Sequence, residues 1–288
     1  MSGPREVIAV LGLGEAGSAI AADLVAAGAL VRGFDPVVPA GPGITQCDGD
    51  ADACRGAAVV LSLTCAHEAE AALKAALPGV GADALYADLN TASAGFKGHL
   101  AELAAGAGIT FADVAMLSPV PGLGLRTPML ACGPAAPRFA DILTALGARV
   151  DVLPGPPGTA AVRKLVRSVF YKGLAAAVTE ALRAARSAGC EDWLRSVIAA
   201  ELSGFSAATV DRLENGSIRH ARRRAEEMAA AAELLSELGV PARIAGASEQ
   251  WLRDLLAESA DAVRLAPDTA DEGQLRTREL AAPDIPRK

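Results

Sequence analysis

The 288-residue sequence is poor in aromatic residues and histidine, and it has no excess of positive charge. Aromatic residues make up 3% of the chain, so it lacks the stacking platforms that single-stranded nucleic-acid binders use. The net charge of −7 is opposite in sign to the basic surface of such proteins, so we expect no nucleic-acid partner. His67, His99 and His220 form no pair with metal-ligand spacing, so no metal site is predicted.

Long apolar runs are also missing, although 51% of the residues are hydrophobic. No segment reaches the roughly 20 apolar residues that a membrane-spanning helix needs, so we expect no membrane partner. The five cysteines are odd in number, form no C-x-x-C pair and follow no secretory signal. This usage predicts reduced thiols in a cytoplasmic protein.

The N-terminal segment combines a strand, a glycine-rich turn and a helix. Residues 7–11 are predicted to form a strand and residues 18–27 an Ala-rich helix. Between them, G-x-G-x-x-G is matched by Gly12, Leu13, Gly14, Glu15, Ala16 and Gly17. The three glycines of this motif allow a tight turn, the approach of a pyrophosphate to the backbone, and close packing of helix and strand. N–H groups at the helix start hold the phosphate charge, so the segment predicts a dinucleotide site.

A second predicted strand, at residues 30–34, ends at Asp35. In dinucleotide-binding chains, an acidic residue about 20 positions after the first glycine binds the adenosine ribose. A carboxylate there accepts hydrogen bonds from a free ribose diol and repels a 2′-phosphate, and residues 36–43 contain no Arg or Lys. The sequence therefore favours NAD as the cofactor, with NADP as the alternative.

The rest of the first half alternates between apolar runs and helical patterns, which predicts a mostly parallel sheet with crossover helices. Further strands are predicted at 57–63, 84–88, 109–114, 129–132 and 149–153, and helices at 66–77, 92–105 and 137–146. Ligands bind at the carboxyl ends of such strands. The segments at those ends are 12–17, 62–65, 88–91 and 116–124.

A Pro- and Gly-rich segment at 153–158 ends the strand patterns. Helices are predicted after it at 159–188, 192–203, 207–213, 217–238 and 247–265. We therefore predict an α/β Rossmann-like N-terminal domain with a mostly parallel sheet, followed by an all-α C-terminal domain. The predicted division is a dinucleotide-binding domain at 1–155, a long interdomain helix at 156–188, a helical substrate and dimerisation domain at 189–266, and a loosely ordered tail at 267–288.

A cluster of cations, Arg163, Lys164, Arg167 and Lys172, lies at the start of the long predicted helix. Lys164, Ser168 and Lys172 share one helix face because they are four residues apart. Apolar residues between the cations predict a mostly buried helix, where unpaired cations are costly. Burial and neighbouring cations lower the pKa of a lysine, so Lys164 is a candidate for proton transfer.

Together these motifs resemble the β-hydroxyacid dehydrogenase family, which includes 3-hydroxyisobutyrate and 6-phosphogluconate dehydrogenases. The resemblance rests on G-L-G-x-x-G at 12–17, a segment similar to D-x-S-T at 88–91, and one similar to G-x-G-x-x-x-K-L at 158–165. It implies a Rossmann-like domain joined to a helical domain, a homodimer, and a catalytic lysine at Lys164. It also implies that Asn90 and Thr91 lie near the nicotinamide.

Two positions depart from the family pattern. Ser168 stands where the family has Asn, and residues 113–122, which include Ser118, replace the Ser-Gly-Gly substrate loop. Residues 167–173 and 219–228 instead resemble a branch whose C-terminal helical domain is defined only by likeness to phosphogluconate dehydrogenase.

We therefore expect an NAD(P)-dependent oxidoreductase acting on the CH–OH group of a small acidic substrate, or on its carbonyl counterpart, with Lys164 as general acid/base. The predicted site residues are Lys164 and Ser168 for catalysis; Gly12, Leu13, Gly14, Glu15, Ala16, Gly17, Asp35, Leu63, Thr64, Asn90 and Thr91 for the cofactor; and Ser118, Lys172, His220 and Arg224 for the substrate. Imine reduction is one alternative, and a nucleotide-binding sensor or scaffold without catalysis is another. Cys65 is expected to be a passive pocket wall, and Trp193 and Trp251 to pack in the helical core.

Overall fold

The computed structural model describes residues 6–265, and residue contacts divide the chain into two compact units, Met1–Gly173 and Leu174–Lys288. The first unit contains one sheet of eight strands. The strands are β1 (Val7–Leu11), β2 (Leu30–Phe34), β3 (Ile44–Gln46), β4 (Val59–Ser62), β5 (Leu85–Asp88), β6 (Thr110–Met116), β7 (Met129–Cys132) and β8 (Val150–Val152). Their order is β3-β2-β1-β4-β5-β6-β7-β8, and only β6 and β7 pair antiparallel. The predicted mostly parallel sheet is confirmed.

Helices cover both faces of this sheet. They are α1 (Glu15–Ala26), α2 (Asp50–Cys54), α3 (Ala69–Ala76), α4 (Ala94–Gly106), α5 (Ala136–Ala145) and the first part of α6 (Thr159–Ser187). Alternate strand residues point to opposite faces, so Val10 and Leu61 join the apolar layer with α1 and α5. Leu11, Val60 and Tyr86 join the layer with α2, α3 and α4.

The sequence analysis missed two short elements, β3 and α2. A strand of three residues and a helix of five residues are too short to show a hydrophobic period. Both elements lie beside the strand that ends at Asp35, and Asp50 at the start of α2 lines the pocket described below.

The second unit contains the rest of α6 and four further helices, α7 (Glu191–Ser203), α8 (Ala207–Arg219), α9 (Ala221–Glu237) and α10 (Arg243–Leu265). The predicted start of the helix at 217–238 is wrong, because His220 interrupts the helical segment and separates α8 from α9. The Glu180 carboxylate accepts hydrogen bonds from the N–H groups of Arg243, Ile244 and Ala245, so α6 caps α10. The predicted tail at 267–288 lies outside the described residues.

Two predictions about burial are wrong. Trp193 and Trp251 are 65% and 66% exposed rather than packed in the helical core. Trp193 lies on α7, which has no buried residue, and the buried positions of α10, the helix of Trp251, are held by Ala245 and Leu252. The start of α6 is also mostly exposed in the single chain. Ala160 and Ala161 are buried, whereas the side chains at 162, 165, 166, 169, 170 and 171 are exposed apolar groups.

Within residues 6–265, no helix combines the length and the apolar character that crossing a membrane requires.

Candidate active site

The glycine turn follows β1 and leads into α1, at the carboxyl edge of the sheet. Gly12 has a φ of +92°, and a Cβ there would lie 2.5 Å from the carbonyl oxygen of Leu63. A Cβ at Gly17 would lie 1.9 Å from the carbonyl oxygen of Gly12, so this position also excludes a side chain. Gly14 has open space around it. The first and third glycines of the turn therefore allow close packing of the backbone, and the second glycine leaves space for a ligand.

Asp35 links the end of β2 to the glycine turn. Its Oδ2 accepts a hydrogen bond of 2.8 Å from the Leu13 N–H, and its Oδ1 accepts from the N–H groups of Val37 and Val38, each at 2.8 Å. Burial acts to raise the pKa of Asp35, but the N–H groups of Val38, Val37 and Leu13 outweigh it and lower the pKa. Asp35 is therefore ionised, and it shapes the glycine turn as well as the predicted ribose site.

A pocket of about 500 Å³ lies over this turn. Its wall includes Gly12, Gly14, Phe34, Asp35, Leu63, Thr64, Cys65 and the Ala-rich face of α3. The structure therefore brings together the glycine turn and the predicted cofactor residues Asp35, Leu63 and Thr64. Asp50 and Glu68 also line the pocket, and burial raises the pKa of Asp50. The nearby cation Arg32 is already paired with Asp52 at 3.0 Å, so carboxylates dominate the charge of this pocket.

A row of buried polar residues crosses four neighbouring strands, at the ends of β4, β5 and β7 and in the middle of β6. Ser62, Asp88, Asp113 and Cys132 are register partners in sequence from β4 to β7. Asn90 lies just after this row, and its Nδ2 is 2.5 Å from Asp88 Oδ1, 3.1 Å from Ser62 Oγ and 3.3 Å from Thr64 Oγ1. The predicted cofactor residue Asn90 is thus held beside Thr64 of the pocket. Thr91, the next residue, is exposed.

Lys97 of α4 provides the cation for this row, and it was not predicted from the sequence. Its ammonium lies 2.6 Å from Asp88 Oδ2 and 3.0 Å from Asp113 Oδ1, and all three side chains are buried. Asp88 ends one predicted strand and Asp113 lies one residue before the end of the next, and two buried carboxylates side by side need a cation. The sequence places an acidic residue near the end of each strand, but it does not show that the two residues pair or which lysine lies between them.

Asp113 also connects the sheet to the start of α6. Its Oδ2 accepts hydrogen bonds from the N–H groups of Gly158 and Ala161, at 2.9 and 3.1 Å. Carboxylates stabilise a helix N-terminus because they pair with N–H groups that have no carbonyl partner in the helix. Lys164 lies three residues after Ala161, less than one helical turn further on.

Lys164 has a strongly perturbed amine. Burial lowers its pKa from 10.5 to about 8, assisted by the charges of Lys97, Lys172 and Arg167 and opposed by that of Asp113. About a tenth of Lys164 is therefore an uncharged amine at pH 7, far more than for a lysine with the ordinary pKa of 10.5. An amine of this kind can both accept and donate a proton.

The other predicted residues of the first unit have varied surroundings. The Ser168 hydroxyl donates a hydrogen bond of 2.9 Å to the carbonyl oxygen of Lys164, so its proton is already engaged. Lys172 is exposed on the same helix, and Ser118 is half-buried in the loop after β6. Glu15 is exposed and Ala16 half-buried in the first turn of α1.

His220 and Arg224 lie in the second unit, at the junction of α8 and α9. Arg224 Nη1 donates a hydrogen bond of 2.8 Å to Ser217 Oγ, and His220 is exposed. Arg223, one residue before Arg224, forms a surface ion pair with Glu227.

Cys65, predicted to be a passive wall of the pocket, lines the pocket and has a histidine beside it. Cys65 Sγ lies 3.3 Å from Nε2 of His67, and both side chains are exposed at the edge of the pocket. The two residues are neighbours because the chain turns between β4 and α3, which sequence spacing alone does not reveal. All five cysteines are free thiols.

Within the described residues, no three side chains of His, Cys, Asp or Glu are grouped so that they could hold a metal ion.

Comparisons with known proteins show what this arrangement is similar to. Residues 185–255 match the family described as "Domain of unknown function (DUF1932)". A conserved hypothetical protein from Sinorhizobium meliloti 1021 is 27% identical, with a TM-score of 0.57, over 93% of this chain and 91% of that chain. The conserved protein MTH1747, whose structure is described as similar to 3-hydroxyacid dehydrogenases, is 26% identical, with a TM-score of 0.53, over 88% of this chain and 98% of that chain.

The imine reductase from Myxococcus stipitatus, in complex with NADP⁺, is 16% identical, with a TM-score of 0.73, over 88% of this chain and 95% of that chain. The fold is that of 3-hydroxyacid dehydrogenase-like proteins and imine reductases. The family resemblance inferred from the sequence motifs is confirmed at this level. A variant of the Myxococcus enzyme is in complex with NAD⁺, so this fold accommodates either cofactor. No curated protein sequence is similar enough to this chain to count as a match.

Proposed function

We propose that this chain is an NAD(P)-dependent oxidoreductase that acts on a small hydroxy acid or its carbonyl counterpart, with Lys164 as general acid/base. The observation that carries the proposal is the lowered pKa of Lys164, about 8, in the unit that also contains the dinucleotide pocket. Perturbed pKa values of this kind are concentrated at catalytic sites.

The pocket fits a dinucleotide. The open space at Gly14 and the unpaired N–H groups at the start of α1 suit a pyrophosphate, and Asp35 suits a ribose diol. A bound nicotinamide supplies the hydride chemistry. Asn90, tied to Thr64, is a candidate for contact with the nicotinamide end.

Lys164 would handle the proton of the substrate oxygen. As an amine it accepts the hydroxyl proton during oxidation, and as an ammonium it donates a proton to the carbonyl oxygen during reduction. Lys172 would attract the substrate carboxylate, and Ser168 would accept a hydrogen bond while its own proton stays on the backbone. Ser118, His220 and Arg224 complete the proposed set of substrate contacts.

The charge of the pocket favours NAD over NADP. Asp35, Asp50 and Glu68 all line it, and a 2′-phosphate placed among these carboxylates would be repelled. The cations Arg32 and Arg55, which lie near this end, are both paired with Asp52.

The proposed assembly is a homodimer in the cytoplasm. Exposed apolar side chains at the start of α6, among them Val166, Val169 and Phe170, provide a surface suited to burial against a second copy. Five unpaired cysteines fit a reducing compartment.

Imine reduction is the second candidate function, because imine reductases share the fold with a TM-score as high as 0.73. A protonated Lys164 would favour a carbonyl oxygen that needs a proton, whereas an iminium substrate already carries one. Parallel assays with hydroxy acids, keto acids and cyclic imines distinguish the two functions.

The decisive experiment follows NADH absorbance during turnover by wild type, Lys164→Met and Arg163→Met. Arg163 is the matched control because it is an exposed cation next to Lys164 on the same helix. General acid–base catalysis contributes about 100-fold or more, so we expect a loss of that size in Lys164→Met and little change in Arg163→Met.

The pH profile adds a second criterion. For oxidation, kcat/KM should rise as pH passes through about 8, because the amine is the active form, and the profile for reduction should fall there. Normal turnover by a folded Lys164→Met protein would remove the proposed mechanism. Tight NADH binding without turnover of any acid or imine would favour the sensor.

A further inference from the structure

Lys97 occupies an unusual position for a lysine, because 1% of it is exposed. Its Nζ lies 2.6 Å from Asp88 Oδ2, 2.8 Å from the Asp88 carbonyl oxygen and 3.0 Å from Asp113 Oδ1. The ammonium donates a hydrogen bond to the Asp88 carbonyl oxygen and lies within ion-pair distance of both carboxylates. Lys97 is therefore a charged group that joins two strands of the sheet.

Each carboxylate held by Lys97 continues to a different part of the proposed site. Asp113 binds the N–H groups of Gly158 and Ala161 at the start of α6. Asp88 accepts a hydrogen bond from Asn90, whose amide nitrogen also lies 3.3 Å from Thr64 Oγ1 in the cofactor pocket. A continuous series of polar contacts thus runs from the pocket wall through Lys97 to the helix that contains Lys164.

We propose that Lys97 is a positioning residue, which holds the first turn of α6 to the strand ends and thereby fixes the position and charge state of Lys164. This inference rests on the proposed function of Lys164. Lys97 itself is buried and contacts no substrate, so it acts through Asp113 and the helix backbone.

The charges around Lys164 indicate the direction of this effect. After burial, Lys97 of α4 is the charge that lowers the pKa of Lys164 most, followed by Lys172, while Asp113 of β6 opposes them. Loss of the Lys97 ammonium would remove a nearby positive charge and leave Asp113 without its cation. Both changes favour protonation of Lys164, so its pKa should rise.

A purely structural ion pair makes a different prediction. If Lys97 only stabilised the fold, its replacement would lower the midpoint of unfolding and leave the titration of Lys164 unchanged. The amine reactivity of Lys164 therefore separates the two roles, and it can be measured without turnover.

The experiment measures trace acetylation of each lysine by acetic anhydride over a range of pH, quantified by peptide mass spectrometry. The variants of the full chain are Lys97→Met and, as the matched control, Lys74→Met, which removes an exposed lysine paired with Glu70. We expect the labelling midpoint of Lys164 to rise by about one unit or more in Lys97→Met and to stay unchanged in Lys74→Met. The pH dependence of kcat/KM should shift by the same amount.

Lys97→Met leaves two buried carboxylates without a cation, and it is at risk of not folding. The double variant Lys97→Met/Asp88→Asn removes one charge of each sign and keeps the net charge of the cluster. A third measurement needs no variant, because Lys97 in the wild-type protein should resist acetylation under conditions that label Lys74.

A folded Lys97 variant in which Lys164 keeps its wild-type labelling midpoint overturns the inference. Labelling of wild-type Lys97 as readily as Lys74 also overturns it. Failure of the proposed function looks different, because Lys164→Met would then remain active whether or not the labelling midpoint moves in the Lys97 variants.

Discussion

Replacing Gly14 with alanine should weaken cofactor binding without unfolding the protein. Gly14 has a φ of −62°, which alanine adopts without strain, and an added Cβ meets no atom within 4 Å. Alanine gains about 0.4–1 kcal/mol by restricting the unfolded chain, and it loses a similar amount as a poorer helix N-cap. The free energy of unfolding should therefore stay within about 1 kcal/mol of wild type.

The effect on binding should be much larger. The methyl group would occupy the space through which a pyrophosphate approaches the backbone, and hydrogen bonds to a charged group contribute about 1.5–3 kcal/mol each. The loss of one such bond weakens binding by roughly 10- to 100-fold. Fluorescence titration with NADH and with NADPH measures the affinity, and thermal unfolding measures the stability.

Two other glycines serve as controls. Gly81 also has open space around it but lies outside the pocket, so Gly81→Ala should change neither quantity. Gly12→Ala should destabilise the protein, because the new Cβ lies 2.5 Å from the Leu63 carbonyl oxygen at a φ of +92°. A stable Gly14→Ala protein that binds NADH as tightly as wild type would refute the assignment of the pyrophosphate to this turn.

Two further predictions concern other parts of the molecule. Alkylation of the exposed Cys65 by iodoacetamide should abolish NADH binding. Bound NADH should in turn slow the labelling of Cys65 but not that of Cys190. Equal labelling rates of Cys65 with and without NADH would contradict the pocket assignment. Glu180→Gln should lower the free energy of unfolding at neutral pH by about 1–3 kcal/mol, whereas Glu233→Gln, on the exposed face of α9, should not. Burial acts to raise the pKa of Glu180, but hydrogen bonds from the N–H groups of Ile244, Ala245 and Arg243 outweigh it and lower the pKa. The difference in unfolding free energy between Glu180→Gln and wild type should therefore shrink as the pH falls below about 4.5, which denaturation at a series of pH values measures. A difference in unfolding free energy that persists in acid would contradict this.

Periodicity and local motifs were sufficient to predict most of the fold. The predicted strands at 30–34 and 129–132 match β2 and β7 to the residue, because apolar runs bounded by turns mark them clearly. The short β3 and α2 were not predicted because three and five residues are too few for a hydrophobic period to be recognised. The burial of individual side chains was predicted less well. The exposed face of α6 is apolar, and composition alone does not show whether a neighbouring surface covers it.

The candidate site also contains residues that the sequence predicts and residues that it does not. The glycine turn and Asp35 are defined by spacing within one strand–helix–strand unit, so the sequence reveals them. The Lys97 cluster depends on the register of β5 with β6, which places Asp88 beside Asp113, and on the face of α4 that meets them. These side-chain contacts form between segments that are distant in the sequence, so no local motif predicts them.

The hydrogen bond from the Leu13 N–H to Asp35 has a consequence for engineering of coenzyme preference. Exchanging Asp35 for a neutral residue, the usual first step toward accepting a phosphorylated adenosine, would also release the glycine turn that is proposed to bind the diphosphate. Affinity for both coenzymes would then fall together. A successful redesign would have to rebuild that loop before adding a cation for the extra phosphate.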